Sequence, residues 1–583
     1  MNVIDSVIIL LYFVAMLGLG FWYQRRASKD LDSYFLGGKR IPWLALAMSG
    51  SVSNFDITGT MWIVALITLF GMKSMWNHWI WGFMMGAFFM SYMGKWIRRS
   101  NVMTGAEWMV TRFGAGREGV TARSAYALMA VVTMVGFVGY AFQGIGKFMA
   151  IYVDWSPTTC AIAIFAVTTT YVMLGGLYSV VITDVIQTII LSLAAIVIMG
   201  VAYTHVSPTL IAEKLPMDWA SLLPVWKLDA TQSEQLAGTD YAVYEMFGAL
   251  LLVWIVKGLL LNMGGPAQMY DFQRFLAARD ARDASKVGAS WSIFLVIRWG
   301  MAMGIALLAT VGIGEVTDPE QVMPLVLQEF LPVGIRGIVL AGLLAAFMST
   351  FSSTVNSGAS YVVRDLWQPL FRPHASDQHL IRASYLATIA IVVAGTLVGI
   401  NSGSIRAVFD WIMGYLGAAF LIPNVLRWYW WRLNGWGYAV GTVSGLIASL
   451  VVPFVPALDP LYISFPLIST ISLVGTFAGT WLTRPTENDV LVKFYETVRP
   501  FGFWGLVRRQ AEAPTDAGEG MGLALMNVIL GLFAIFGAYI TPMYLVSHYH
   551  VHALVSFCVA LAAVFVLKRT WYDNLPPSEI ASQ

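Results

Sequence analysis

Long apolar stretches dominate the chain, and they restrict its fold more than any other feature. Many of them exceed the roughly 18 residues that an α-helix needs to cross the hydrocarbon core of a bilayer. Of the 583 residues, 58% are hydrophobic and only 12% are charged, whereas a soluble globular protein carries about 25% charged residues. Because lipid offers no partner to unpaired backbone groups, the sequence predicts an all-α polytopic membrane protein.

Fifteen spans are predicted, and an odd number places the two termini on opposite sides of the membrane. Their approximate bounds are 4–22, 43–70, 75–94, 124–151, 158–175, 181–203, 243–264, 287–312, 335–362, 383–401, 405–430, 436–454, 464–483, 522–543 and 551–568. The N-terminal sequence MNVID has no Lys or Arg, so we interpret the first span as a retained helix rather than a signal peptide.

Positive charges are distributed unevenly between the two sets of loops. With the N-terminus outside, the inner loops and the C-terminal tail hold 27 of the 35 Lys and Arg residues, and the outer loops hold five. Cytoplasmic loops of membrane proteins carry the excess of these residues. We therefore predict a multi-pass protein of the plasma (inner) membrane, with its N-terminus outside and its C-terminus in the cytoplasm.

Two predicted spans are interrupted by polar or helix-breaking residues. The second span contains SNFDITG at 53–59, and the seventh contains Gly264, Gly265 and Pro266. An aspartate at the centre of a membrane helix costs roughly 2.5–3.5 kcal/mol on insertion scales, so Asp56 needs a compensating role. Interruptions at matching positions, five spans apart, indicate an inverted repeat whose freed carbonyls bind an ion, substrate or water. Simple kinks are the alternative.

The ninth and sixth predicted spans add side-chain oxygens to these interruptions. Two overlapping helical faces of the ninth span contain Ala346, Ser349, Thr350, Ser352 and Ser353. Hydroxyl and carbonyl oxygens suit a hard cation, and no His or Cys joins them, which argues against a transition metal. Asp184 in the sixth span supplies a negative charge, and a role in helix packing is the alternative for it.

Five motifs in order along the chain resemble those of the sodium:solute symporter family, whose members share the leucine-transporter-type fold. The motifs are YFLGGKRIPW, GGLYSVVITDVIQ, QRFLAARD, AAFMSTFSS and WRLNGWGYAVG. The resemblance covers residues 1 to about 485. It implies a core of ten helices in two inverted repeats of five, with one extra helix before the core and about four after it.

This resemblance implies a division of the chain into five regions. The predicted regions are an N-terminal helix and cytoplasmic loop (1–42), a first repeat (43–203), an extracellular loop (204–242), a second repeat (243–435), and C-terminal extra helices (436–583) that include a cytoplasmic loop at 484–521.

The resemblance also implies where sodium binds. In the family, one sodium ion lies between the broken first core helix and the eighth core helix. The matching residues here are Val52, Phe55, Ala346, Ser349 and Thr350. Some members bind a second sodium ion, and the residues that match this site are Asp184, Ser349, Ser352 and Ser353.

The expected solute pocket departs from that of the sugar-transporting members. Those members carry an acidic residue in the second core helix and a lysine in the seventh, where this chain has Trp79 and Leu295. Tyr270 matches the aromatic residue that closes the pocket from the cytoplasmic side. The candidates for solute binding or gating are Asn54, Asp56, Asn77, Trp79, Gln143, Lys257, Gln268, Tyr270 and Arg298. An internal ion pair of Asp56 with Arg298 or Lys257 is the alternative to a solute contact.

The predicted function is sodium-coupled import of a small polar organic solute by alternating access. Sugars or sugar acids are the first expected substrate class, and amino acids or short carboxylates are the second. A transporter-like sensor and a channel are further alternatives. No enzyme is expected, because neither HExxH nor GxSxG occurs. The expected partners are the solute, sodium ions and the lipid bilayer, with no other cofactor, no nucleic acid and no obligate protein partner.

Overall fold

The structure is a computed structural model, and it describes residues 2–27, 41–81, 84–265, 271–313, 316, 318–512 and 520–578. These residues form helices and connecting loops. Within the described ranges, the one β-type pairing is an isolated bridge between Trp430 and Phe503. The predicted all-α class is therefore confirmed for this part of the chain.

The N-terminal half begins with one long helix and a helix pair separated by two residues. Its α-helices are α1 (Val3–Ala27), α2 (Trp43–Asn54), α3 (Ile57–Phe70), α4 (Met85–Phe88), α5 (Gly94–Arg99), α6 (Trp108–Phe113), α7 (Arg117–Ala150), α8 (Pro157–His205), α9 (Pro208–Lys214), α10 (Ala230–Leu236), α11 (Phe247–Gly264), α12 (Phe272–Leu276) and α13 (Ala281–Phe294). Segments of 3₁₀-helix cover Gly71–Trp81 and Asp240–Met246, and a π-helical segment covers Phe89–Met93.

The C-terminal half continues with long helices. Its α-helices are α14 (Val296–Gly312), α15 (Val322–Phe330), α16 (Ile335–Ser360), α17 (Gln368–Phe371), α18 (Asp377–Ile400), α19 (Ile405–Phe409), α20 (Gly417–Tyr429), α21 (Gly435–Val451), α22 (Leu461–Trp481), α23 (Asn488–Val498), α24 (Gly505–Arg508), α25 (Met521–Val546) and α26 (His550–Thr570). The π-helical segments are Tyr361–Trp367 and Asp410–Leu416, and the 3₁₀ segments are Pro319–Gln321, Val452–Phe454, Pro456–Leu458 and Tyr572–Asn574.

The number of membrane spans differs from the predicted fifteen. Twelve helical segments of the described residues are long and apolar enough to cross a membrane, and two shorter apolar helices cover Val3–Gly18 and Pro157–Thr170. The predicted spans at 158–175 and 181–203 both lie within one continuous helix, α8, and the predicted number of spans is not confirmed. The residues between them, 176–180, include no proline, so every residue there keeps the backbone donor that a continuous helix needs.

Helices from distant parts of the sequence pack around α2 and position its C-terminal end. α2 packs against α8, α13 and α16, and α16 also packs against α1 and α8. Gly50 allows α2 to approach α13 closely, because a Cβ atom at this position would lie 2.2 Å from the Trp291 ring. The end of α2 is therefore enclosed by three helices that come from distant parts of the sequence.

Candidate functional site

The helix that begins at Trp43 is interrupted at Phe55 and Asp56, inside the polar stretch SNFDITG. α2 ends with Phe55 N donating to the Val52 carbonyl at 3.0 Å, and Phe55 then leaves helical geometry with φ −92° and ψ 50°. α3 begins after Asp56, whose Oδ2 accepts a hydrogen bond of 3.0 Å from Gly59 N. Asp56 therefore serves as the N-cap that starts the second half of the helix.

Arg298 on α14 binds this interruption directly. Its Nη2 lies 3.1 Å from Asp56 Oδ1, and its Nη1 donates to the Asn54 carbonyl at 2.7 Å. Its Nε donates to Thr60 Oγ1 at 3.1 Å. Asp56 and Arg298 are both buried, so each neutralises the charge of the other where water cannot reach them. Of the two roles predicted for Asp56, this geometry corresponds to the internal ion pair.

The hydroxyl face of α16 reaches the same interruption. Thr350 Oγ1 lies 2.7 Å from the Ser53 carbonyl and 3.1 Å from the Ala346 carbonyl. Ser349 Oγ is buried and lies beside the carboxylate of Asp184. Hydroxyl and carbonyl oxygens from two helices therefore converge in a buried position, which is the ligand type that a hard cation requires. The structure thus brings Ala346 and Thr350 to the end of α2, where Val52 and Phe55 lie, whereas Ser349 lies beside Asp184.

Two residues of the predicted second cation site, Asp184 and Ser353, lie beside the guanidinium group of Arg274. Asp184 Oδ2 accepts a hydrogen bond of 2.5 Å from Ser49 Oγ and lies 3.7 Å from Arg274 Nη2. Arg274 also donates to Ser353 Oγ at 2.5 Å and to Ser49 Oγ at 3.2 Å. Ser352 Oγ instead donates to the Ser349 carbonyl of its own helix. In this conformation, Arg274 supplies a positive charge beside Asp184.

Sequence reasoning missed Arg274 and its neighbour Asp271 as members of this region. Both residues fall in the predicted inner loop that follows the seventh span, yet both are fully buried. The available signal was the apolar context of FQRFLAA around Arg274, because a charged side chain among buried apolar neighbours requires a partner.

Two other candidates for solute binding or gating, Gln143 and Lys257, make their contacts away from Asp56. Gln143 on α7 donates through Nε2 to the carbonyls of Gly399 and Ser402 at 2.6 and 2.7 Å, so it connects α7 with the end of α18. Lys257 on α11 is fully buried, with its Nζ 5.1 Å from the centroid of the Trp254 ring. The structure therefore does not bring Gln143 or Lys257 into contact with Asp56.

Asn77 and Trp79 lie on the 3₁₀ segment that follows α3. Asn77 lines a small cavity between α3, this segment and α14, and the other lining residues are Trp62, Ile63, Leu66, Ser74, His78 and Trp299. Trp79 packs against Gly258 of α11, where its carbonyl would lie 2.7 Å from an added Cβ atom. The cavity has a volume of about 10 Å³, which is room for about one water molecule. Gln268 and Tyr270 lie outside the described residues.

Comparisons with known proteins assign this arrangement to one family. The model of the sodium:solute symporter family matches residues 34–445. The chain belongs to the sodium:solute symporter family. Among its relatives, the osmoregulated proline transporter OpuE of Bacillus subtilis is 26% identical over 456 residues, which is 76% of this chain and 87% of the relative.

Two further relatives are named for other solutes. The sodium/glucose cotransporter of Vibrio parahaemolyticus is 24% identical and aligns over 84% of this chain and 92% of its own length. The sodium/myo-inositol cotransporter 2 of Rattus norvegicus is also 24% identical, over 84% of this chain and 78% of the relative. Relatives of similar identity thus differ in solute, so identity alone does not select one for this chain.

A solved structure has a similar helical fold. The chain matches a sodium-coupled sialic acid symporter, in a substrate-bound outward-open state, with a TM-score of 0.64 at 18% sequence identity. The match covers 83% of this chain and 99% of the symporter chain. The multi-pass helical architecture is therefore shared over almost the whole of that transporter.

Proposed function

We propose that the chain is a sodium-coupled symporter that imports a small polar organic solute by alternating access. The observation that carries this proposal is the contact of the Thr350 hydroxyl with the carbonyls of Ser53 and Ala346. These oxygens meet where α2 ends, in a buried position between two long helices. A sodium ion bound to the same oxygens would hold α16 against the interrupted helix, so ion binding would select one arrangement of the two.

The proposed sodium ligands are the carbonyls of Val52, Phe55 and Ala346 and the hydroxyls of Ser349 and Thr350. In the structure, Val52 and Ala346 accept hydrogen bonds from Phe55 N and Thr350 Oγ1. A carbonyl oxygen has two lone pairs, so such a bond leaves one for a cation. The Ser349 hydroxyl lies beside the Asp184 carboxylate, so it would have to turn toward the ion to act as a ligand.

A sugar or sugar acid is the proposed solute class. The glucose and myo-inositol cotransporters among the relatives support polyols and sugars, and the sialic acid symporter supports the same broad class through its fold. The small cavity beside α3 combines the polar side chains of Asn77 and His78 with the indole rings of Trp62 and Trp299. Aromatic faces with few polar groups are typical of solute pockets. Proline and short carboxylates form the second class, which the proline transporter favours.

Uptake into proteoliposomes tests the proposal. The full chain is reconstituted and supplied with radiolabelled sugars, inositols, sugar acids and proline, under an inward sodium gradient or a matched potassium gradient. The expected result is accumulation of one solute above its outside concentration only with sodium. Equal uptake in both gradients would indicate a channel or uncoupled carrier and would overturn the proposal.

A further inference from the structure

Two buried carboxylates share one guanidinium group beside the interruption of the α2–α3 helix. Asp184 on α8 and Asp271, which directly precedes α12, are both fully buried. Arg274 Nη2 lies 3.7 Å from Asp184 Oδ2, and the same guanidinium group interacts electrostatically with Asp271. With all three groups ionised, their formal charges sum to one negative charge.

Arg274 directs its hydrogen bonds toward Asp184 rather than toward Asp271. Its Nη2 lies 3.7 Å from Asp184 Oδ2, and its Nη2 and Nε bind Ser353 and Ser49, which belong to the surroundings of Asp184. Ser49 adds a direct hydrogen bond to the Asp184 carboxylate. Asp184 is therefore compensated by a cation and a hydroxyl, and the excess negative charge remains with Asp271.

The oxygens of Asp271 have fewer partners than a buried carboxylate normally has. Neither Oδ1 nor Oδ2 forms a well-aligned hydrogen bond with a described residue. The carboxylate faces the side chain of Asn54, the last residue of α2. An ionised carboxylate offers about four acceptor positions, and leaving them empty away from water is strongly unfavourable.

We propose that Asp271 binds a sodium ion at the end of α2, at a site separate from the one formed by Ser349 and Thr350. This inference rests on the proposed sodium-coupled function. A monovalent cation removes the excess charge, and a hard cation is bound by carboxylate oxygens. The Arg274 guanidinium then balances the charge of Asp184, and the sodium ion balances the charge of Asp271. The sodium-free and sodium-bound forms of the protein therefore differ by one charge beside the interrupted helix.

Direct binding of radioactive sodium to the purified full chain tests this site. The wild type is expected to bind two sodium ions per molecule at saturation, and Asp271→Asn is expected to bind one. Thr350→Val, which removes the other site's hydroxyl, should also lower binding from two ions to one. Asp283→Asn serves as the matched control, because Asp283 is a buried carboxylate twelve residues further along that already lies 3.5 Å from Lys286 Nζ.

A second variant protects the experiment against misfolding. Asp271→Glu keeps the carboxylate and should retain two bound ions with altered affinity, whereas a purely structural role would make both variants bind alike. Equal sodium binding by the wild type and Asp271→Asn overturns the inference while leaving the proposed function intact. A wild type that binds no sodium overturns the proposed function itself. A wild type that binds one sodium ion and exchanges a proton at the second position also overturns the Asp271 site.

Discussion

Arg298 Nη2 and Asp56 Oδ1 lie 3.1 Å apart, and this ion pair connects α14 to the interruption between α2 and α3. Arg427 has a similar role at the end of α11, where its Nη2 donates to the Gly264 carbonyl at 3.2 Å. Each of these two helix ends thus has a carbonyl bound by an arginine from a distant helix. The freed backbone groups are satisfied by protein side chains as well as by any ion that binds there.

Replacing Arg298 by Gln is expected to destabilise the chain by about 3–5 kcal/mol, because it leaves the buried Asp56 charge without its partner. Solute uptake should be lost as well, since the Asn54 carbonyl and the start of α3 lose their contact with α14. The double change of Arg298→Gln with Asp56→Asn should recover most of the thermal stability, because no charge remains buried. Melting temperatures of the purified variants measure both effects.

Recovery of uptake by the double variant identifies the pair as internal. If Asp56→Asn alone transports normally and the double variant stays inactive, Arg298 contacts the solute instead. Arg298→Lys distinguishes charge from geometry, because a lysine supplies the charge but cannot bind Asp56, Asn54 and Thr60 together.

Ser349→Ala and Thr350→Ala are expected to raise the sodium concentration that gives half-maximal uptake, without a change in protein abundance. Each removes one oxygen from a buried cation site whose other ligands cannot replace it fully. Ser384→Ala is a suitable control, because Ser384 is a buried hydroxyl on α18 that only bonds to the Leu380 carbonyl of its own helix. An unaltered sodium dependence in both site variants contradicts the assignment.

The sequence was sufficient to place the helix interruption and the hydroxyl face of α16. SNFDITG contains a side chain that can cap a helix and is too polar for an unbroken membrane span, and the hydroxyls repeat with helical spacing. These are local patterns, so they can be recognised without knowledge of the tertiary structure. The interruption between Asn54 and Ile57 follows directly from them.

The side chains that distant helices bring to this interruption could not be predicted from local patterns. Arg274 belongs to a basic segment that counts as an inner loop by charge, and only the packing of α12 brings it to Asp184. The apolar residues around Arg274 indicate that it is buried, but nothing in the local sequence identifies Asp184 as its partner. The continuity of α8 across residues 176–180 could likewise not be predicted from the two apolar segments on either side of them.

Gly50→Ala is expected to lower stability by about 1–3 kcal/mol through overpacking. The new Cβ atom would lie 2.2 Å from the buried Trp291 ring, so α2 would have to move away from α13. Gly200→Ala is the matched control, because Gly200 lies in α8 with no atom within 4 Å of an added Cβ. Thermal unfolding should separate the two variants, and similar melting temperatures would show that α2 and α13 are not tightly packed in the protein.

Arg274→Gln tests whether this guanidinium occupies the place of a cation beside Asp184. In sodium-free buffer the variant should lose about 3–5 kcal/mol of stability, because Asp184 keeps a buried charge without its partner. Sodium should restore much of this loss, since Asp184, Ser349 and Ser353 then offer oxygens without a competing positive charge. The double variant Arg274→Gln with Asp184→Asn should be more stable than Arg274→Gln in sodium-free buffer. Its stability should also respond less to sodium than that of Arg274→Gln. Melting temperatures in sodium and in choline chloride of equal ionic strength measure these differences. A sodium response in Arg274→Gln no larger than that of the wild type would show that sodium does not replace the guanidinium, and would leave Arg274 as a structural partner of Asp184.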